Sequence, residues 1–341
     1  MELIVVGCGW AGERHVVAAT ALARRGRDVR VAALVDTDSD YLAAKAEEWG
    51  IGATFTGLPA ALDALPDAAG VILATPHNAH RRGTEQAAAA GRHVLVEKPM
   101  ALTLEDADAM ITACDAGGTT LMVAESARYR RRSMAIRDTL HAGRIGQVLS
   151  GRMNLIGRGR HTYQYPGRRS WLAEPDLGGS GIWMLNGIHQ MSVARMFLGE
   201  VTRIDAREVH SGKFQSDREA TVVALVEFGS RAVIAMTVSA ELHGYKRFGD
   251  VALFGADGTL YAGRSEARLT IYTESAAPET VEWENDEDGE TPGHFVRQLD
   301  EFVAAATEKR EPYTGGPSER ATLAAILAGY ESIRTGQSVT L

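Results

Sequence analysis

Gly91-Arg-His-Val-Leu-Val-Glu97-Lys98-Pro99-Met100 decides the fold of the first half of this chain. Gly91 follows the alanine-rich run Gln86–Ala90, as a glycine follows the last turn of a helix. Val94, Leu95 and Val96 form a short apolar, β-branched run, the composition of a parallel strand covered on both faces. Pro99 stops the strand, because it cannot donate to a ladder and restricts the residue before it. Glu97 and Lys98 are thereby predicted at a strand's carboxyl end, the edge where open α/β sheets take their ligands. An adjacent Glu–Lys pair taken alone reads as a solvated loop; the flanking segments decide otherwise.

Upstream, Glu2–Gly7 reads as a buried strand running into Gly7-Cys8-Gly9-Trp10-Ala11-Gly12 and then a helix to Arg25. Strand 29–35 ends at Asp36, and strands and helices go on alternating: helix 38–49, strand 53–55, helix 59–65, strand 70–75, helix 78–90, the strand at 93–97, helix 103–117 and strand 119–124. Such alternation predicts a doubly wound parallel sheet. After Ala124 the pattern changes. A basic helix, Tyr129–His141, leads through a turn to strand Val148–Ile156 and an Arg/Tyr-dense loop, Gly157–Trp171. Glycines 178, 179 and 181 precede one apolar helix, Ile182–Leu198. At least five strand candidates follow, at 201–210, 220–228, 231–241, 249–254 and 267–273, then an acidic loop at 282–290 and helices at 293–308 and 317–335. The second half is predicted as an α+β domain, which divides the chain into 1–123 and 124–341.

At 341 residues, two domains are expected. A net charge of -8 argues against a nucleic-acid partner, which needs a basic face. Cys8 and Cys114 show neither disulfide nor metal-ligand spacing, so no metal is expected and a reducing cytoplasm is. No basic n-region precedes the first strand and no long apolar run exists, so neither a signal peptide nor a membrane partner is expected.

Gly7-x-Gly9-x-x-Gly12 lies between a strand and a helix. The first glycine permits the turn, the second lets a pyrophosphate approach the backbone, and the third packs helix on sheet. Asp36, ending the second strand, can accept from a ribose diol. Thr37, Asp38, Ser39 and Asp40 offer no cation for a 2′-phosphate, so NAD is expected in preference to NADP. Thr75-Pro76 and His80 end the fourth strand on the same edge and are candidate cofactor contacts, although Thr75 and Asn78 also read as helix caps. Lys98 is the candidate for proton transfer, since a lysine in a dry pocket beside a cationic ring has its charged form disfavoured. Glu97 points to the opposite side of the strand and is assigned to nucleotide positioning. In the second half, His189 and Leu185 fall four apart on one helix face; alone, His189 reads as a satisfied core histidine.

Taken in order, Gly7-x-Gly9-x-x-Gly12 with Asp36, Thr75-Pro76 with His80, Glu97-Lys98-Pro99 and Gly187-x-His189 resemble the Gfo/Idh/MocA oxidoreductases, the family of glucose-fructose oxidoreductase and inositol dehydrogenase. The resemblance implies an N-terminal Rossmann domain and a C-terminal domain with a large, mostly antiparallel sheet. It also implies bound NAD or NADP, redox chemistry on a sugar, sugar acid or cyclitol, and homo-oligomers. Carried over by position, Lys98 matches the family's catalytic lysine and His189 its substrate-side histidine, with Trp10 and Ala11 in the cofactor turn. Arg128 and Tyr129 fall where the family lines its cleft, Asn186 is a candidate substrate contact although on a helix it points about 100° away from position 185, and Arg168 and Trp171 belong to a loop with Arg158, Arg160 and Arg169 that suits an acidic or heavily hydroxylated substrate as well as it suits a solvated or subunit-contact role. One departure stands out: the family's usual Asp four residues before the histidine is Leu185 here. A catalytically silent dinucleotide sensor stays open as an alternative, as does an enzyme that retains NAD and uses transient oxidation for elimination or glycoside cleavage.

Overall fold

The computed structural model describes residues 1–157, 170–178, 181–211, 218–241, 247–263, 266–274, 276–286 and 291–341. It holds two compact units, the first made of Met1–Ser126 with Asp286–Arg320. In chain order its first part runs β1 (Glu2–Val6), α1 (Trp10–Arg24), β2 (Arg30–Val35), α2 (Ser39–Trp49), β3 (Thr54–Phe55), α3 (Leu58–Ala64), β4 (Gly70–Leu73), α4 (His80–Ala89), β5 (His93–Glu97), α5 (Leu104–Gly117) and β6 (Leu121–Ala124). The strands form a six-stranded sheet in the order β3-β2-β1-β4-β5-β6, with every pair parallel. Leu3, Ile4, Val5, Ile72, Leu95 and Val96 have no exposed surface, as expected of strands covered on both faces. Each such side chain contributes roughly 1.5–3 kcal/mol by leaving water. Helix ends follow their local chemistry: Asp38 Oδ1 accepts from Tyr41 N at 3.1 Å, Thr103 Oγ1 accepts from Asp106 N at 3.1 Å, and Gly91 takes φ +73° after α4. The strand order reverses between β1 and β4, which places a ligand crevice at their carboxyl ends.

The second unit comprises Ala127–Asn285 with Ala321–Leu341. Its elements are α6 (Arg131–His141), β7 (Val148–Gly157), α7 (Ile188–Leu198), β8 (Val201–Val209), β9 (Thr221–Phe228), β10 (Val233–Ser239), β11 (Arg247–Gly255), β12 (Thr259–Gly263), β13 (Arg268–Thr273) and β14 (Ala276–Glu282), with β15 (Val339–Thr340) at the chain's end. They make a nine-stranded sheet, β14-β13-β12-β11-β7-β10-β9-β8-β15, antiparallel except for the β7–β10 pair. Val222, Ala224 and Val226 are buried while Val223 and Leu225 between them are open, the alternation of a sheet covered on one face.

Three expectations need correcting here. The helix at 182–198 is present without a break but is not regular throughout: Trp183–Gly187 is a π-helical turn, and the α-helical stretch α7 begins at Ile188. Strands β12 and β14 lie outside the predicted candidates; β14 (Ala-Ala-Pro-Glu-Thr-Val-Glu) lies at the sheet edge with six of its seven residues exposed, so no apolar alternation marks it. Nor does one cut after residue 123 describe the compact units, because the chain returns to the first sheet at Asp286–Arg320. There α8 (Gly293–Glu308) buries Phe295, Val296, Leu299, Phe302 and Val303, with the Phe295 ring edge-on to Trp10 at 6.0 Å and to His15 at 5.6 Å. Thr314 then pairs with β6, taking Val123 N on its carbonyl at 2.8 Å and donating Oγ1 to Val123 O at 2.7 Å, which covers an edge strand. Periodicity identifies α8 as amphipathic without saying which sheet it covers. α9 (Gly316–Thr335) closes the helical series. No helix among the described residues is long and apolar enough to cross a membrane.

Candidate functional site

The glycine turn between β1 and α1 divides its three glycines by task. Gly7 takes φ +91°, and a Cβ there would lie 2.4 Å from Ala74 O; a Cβ on Gly12 would lie 1.9 Å from Gly7 O. Those two glycines are demanded by the protein's own packing. A Cβ on Gly9 would meet nothing within 4 Å, so that glycine keeps open the space over the helix N-terminus. Gly9 is also the N-cap of α1 and supplies no side-chain cap, so backbone N–H groups at Trp10 and Ala11 face that space as an anion-binding end. Asp36, 8% exposed, accepts from Cys8 N on Oδ2 at 2.9 Å and from Asp38 N on Oδ1 at 3.1 Å. Its carboxylate is thus locked to the glycine turn, with lone pairs left for a diol.

On the same edge, β4 hands over to Thr75 and Pro76. The Thr75 hydroxyl is buried without a protein partner, a group that costs free energy unless something else completes it. The open cradle over Gly9 and this orphaned hydroxyl fit a bound dinucleotide lying along the edge. His80, in contrast, faces inward and is fully buried. Its Nδ1 lies 3.1 Å from Pro99 O and 3.3 Å from Met100 O, and its Nε2 lies 3.2 Å from Thr75 O. Burial pushes its pKa down, and the neutral ring donates on one side only. His80 therefore ties the Thr75 segment to the turn after Lys98 and is not itself presented to a cofactor, contrary to the sequence expectation.

β5 ends in Glu97, followed by Lys98. Glu97 Oε1 lies 2.9 Å from His15 Nε2 of α1, and Glu97 Oε2 accepts from Lys98 N at 3.2 Å. His15 has no exposed surface. Lys98 lies deep at this edge yet keeps part of its surface open, as a group that must touch a ligand requires. Burial holds its ammonium below the ordinary lysine range, overcoming the opposing pull of the Glu125 and Glu97 carboxylates. Glu125, fully buried, follows β6 directly, and Ala124 is in register with Glu97 on the neighbouring strand. Sequence reading missed both His15 and Glu125. Glu125 could have been found by asking which charged residue follows each strand on this edge; His15, 82 residues from its partner, left no such signal.

In the second unit, Arg128 donates through Nε to Ser192 Oγ on α7 at 2.7 Å, and Tyr129 is 7% exposed. Leu185 and Asn186 lie half-buried in the π-helical turn, and His189, also half-buried, in the first turn of α7, so the five residues from Leu185 to His189 straddle a change of helix type. His189 lines a cavity of about 70 Å³ with Arg130, Arg132, Ser133, Gln190 and Phe197 among its walls. Arg128 and Trp171 are not among its walls; Trp171 is half-buried in a short helical turn, Ser170–Ala173. Arg168, like Arg158, Arg160 and Arg169, lies outside the described residues.

With a glycine cradle, a buried carboxylate and a depressed lysine on one edge of a parallel sheet, and with sugar dehydrogenases as its relatives, the chain is a nicotinamide-dependent oxidoreductase acting on CH–OH groups. The chain belongs to the Gfo/Idh/MocA oxidoreductase family: residues 1–125 match its NAD-binding Rossmann domain and residues 133–261 a C-terminal domain of the same family. It is 30% identical to a D-apiose dehydrogenase of Paraburkholderia graminis, over 99% of this chain and 88% of that one. It is 25% identical to D-xylose 1-dehydrogenase (NADP(+)) 2 of Haloferax volcanii, over 99% and 98% respectively. Among solved structures, levoglucosan dehydrogenase in complex with NADH and levoglucosan superposes with a TM-score of 0.89 at 20% identity, covering 100% of this chain and 99% of the other, which is a likeness of fold.

Proposed function

We propose that this chain interconverts a secondary alcohol and the corresponding ketone, or a lactol and its lactone, on a sugar, sugar acid or cyclitol, using NAD in preference to NADP. The observation that carries this reading is Lys98, lowered by burial and still partly open, on the same sheet edge as the Gly9 cradle and Thr75. Gly9, with the first N–H groups of α1, would hold the pyrophosphate, Asp36 the ribose diol and Thr75 the nicotinamide half. NAD, when bound, supplies the hydride acceptor. The protein's own part is the proton. Neutral Lys98 takes it from the substrate hydroxyl through Nζ during oxidation and returns it during reduction. Glu97 and Glu125 stabilise the ammonium so formed, while His15 holds the Glu97 carboxylate in place. His189 and Asn186 are assigned to the substrate oxygens, together with Arg128.

Preference for NAD rests on Asp36, whose buried carboxylate would meet a 2′-phosphate with like charge in a poorly screened setting; the exposed Asp38 adds a weaker, solvent-screened repulsion. Homo-oligomers are inferred from the open sheet face, where Val223, Leu225, Val233 and Phe254 share one side and are each between 38% and 54% exposed. The deciding experiment is a panel of D-apiose, levoglucosan, D-xylose, myo-inositol and D-gluconate, followed by nicotinamide absorbance with each cofactor. Turnover of a panel member supports the reading. Cofactor binding without turnover of any member points to the silent sensor, and product without net cofactor change to the eliminating enzyme.

A further inference from the structure

The N-terminus of the helical segment beginning at Gly181 is completed entirely from elsewhere in the chain. The first four N–H groups of any helix lack intrahelical partners. Here Gly181 N donates to Glu219 Oε2 at 3.1 Å, Ile182 N to Glu219 O at 3.1 Å, Trp183 N to Glu219 Oε1 at 3.0 Å and Met184 N to Tyr330 Oη at 3.0 Å. The next amide, Leu185 N, makes the first bond within the segment, to Gly181 O at 3.0 Å. Tyr330 in turn donates its hydroxyl to Glu219 Oε1 at 2.6 Å. Glu219 is 6% exposed, and burial pushes its pKa up against those hydrogen bonds. A carboxylate so placed also meets the positive end of the helix dipole.

The packing around this cap leaves little freedom. Trp183 is fully buried and donates Nε1 to Ile326 O at 3.1 Å. A Cβ on Gly181 would lie 2.5 Å from the Glu219 carboxylate; on Gly187, 2.6 Å from the Trp183 ring; on Gly329, 2.5 Å from Trp183 Nε1. Three glycines are therefore required by two side chains. Neither Glu219 nor Tyr330 has a part in the proton chemistry, yet both fix the turn that carries Leu185 and Asn186 and leads into His189. A π-helical turn inside a helix is costly to hold and is frequently found at functional sites.

We infer that Glu219 and Tyr330 are positioning residues for the substrate, acting through the Trp183–Gly187 turn and His189. The inference rests on the assignment of Asn186 and His189 to the substrate. Its test compares Glu219→Gln, Tyr330→Phe and His189→Ala with wild type, using D-apiose or, failing that, the panel sugar of highest kcat/KM. Glu219→Gln keeps the shape but turns an amide N–H₂ toward N–H groups. Tyr330→Phe removes one oxygen and is the milder change, which keeps the test decisive if Glu219→Gln does not fold. The expected result is a rise in sugar KM of about tenfold for Glu219→Gln and about threefold for Tyr330→Phe, with kcat and NADH affinity within about twofold. Amide hydrogen exchange should quicken at 181–189 in both variants and stay as in wild type on β1 and β5. If His189→Ala raises KM while the other two leave it unchanged, the positioning role is overturned and the reading of His189 stands. If His189→Ala leaves KM unchanged, that reading falls and the inference with it. Loss of NADH affinity in parallel with KM would mark general loosening and also overturn it.

Discussion

The carboxyl edge of the first sheet and the capped turn of the second unit both present chemistry-bearing side chains, and they are built in opposite ways. On the sheet edge each residue is placed by the strand beside it, with only the Glu97 carboxylate held from afar by His15: Asp36 follows β2, Thr75 and Pro76 come after β4, Glu97 ends β5 and Lys98 follows it. In the second unit Leu185, Asn186 and His189 follow a helix start whose amides are met by a carboxylate 36 to 38 residues beyond them and a phenol 146 residues beyond. A site on strand ends inherits its geometry from the hydrogen-bonded sheet, so its chemistry is robust to change elsewhere. A site on a remotely capped helix can be retuned by residues that never meet the ligand.

The sheet edge should fail where its own residues are changed. Lys98→Met is expected to lower single-turnover hydride transfer by about 10²–10⁴-fold while NADH fluorescence titration stays near wild type. Wild-type rates in that variant would remove Lys98 from the chemistry. Gly9→Ala and Gly12→Ala separate ligand space from packing space. The first should weaken NADH binding by about tenfold or more with Tm nearly unchanged, since its Cβ meets no protein atom. Gly12→Ala should lower Tm outright, because its Cβ would sit 1.9 Å from Gly7 O. Calorimetry giving both variants the same Tm would break the division of labour among the glycines.

Cofactor choice is the next smaller effect. Wild type should favour NAD over NADP by at least about tenfold in kcat/KM, roughly 1.4 kcal/mol, and Asp36→Ala should narrow the gap mainly by weakening NAD. Equal or tighter NADP binding by the wild type would mean that Asp36 does not meet the ribose. The smallest change is expected from Leu185→Asp, which restores the family's usual carboxylate. It should shift relative rates among polyols by about a few-fold without altering NADH affinity. A panel profile identical to wild type would place position 185 away from the substrate.

The same contrast explains how much was legible in the sequence. Alternating strands and helices, the task of each glycine and the location of Lys98 all follow from neighbours in the chain, because a parallel strand and its ending proline are local signals. His15 and Glu219 escaped because their partners lie 82 and 36 to 38 residues away. The π-helical turn escaped because the cap that precedes it is completed by residues far off in the chain. His80 was misassigned for a related reason: proximity to the edge is readable, but the inward turn of its ring toward Pro99 and Met100 is a tertiary choice.

The central claim is that Lys98 exchanges the substrate proton, and its pH dependence addresses that claim most directly. A neutral lysine is the base in oxidation, so the rate should rise with pH and level off once Lys98 has lost its proton. Burial lowers that pKa, so the limb should fall below the ordinary lysine value of 10.5, and the reductive rate should show the opposite limb. Single-turnover oxidation of NAD-saturated enzyme should show this limb in wild type and not in Lys98→Met. The same limb, at the same position, in Lys98→Met would assign the proton to another group and contradict the account.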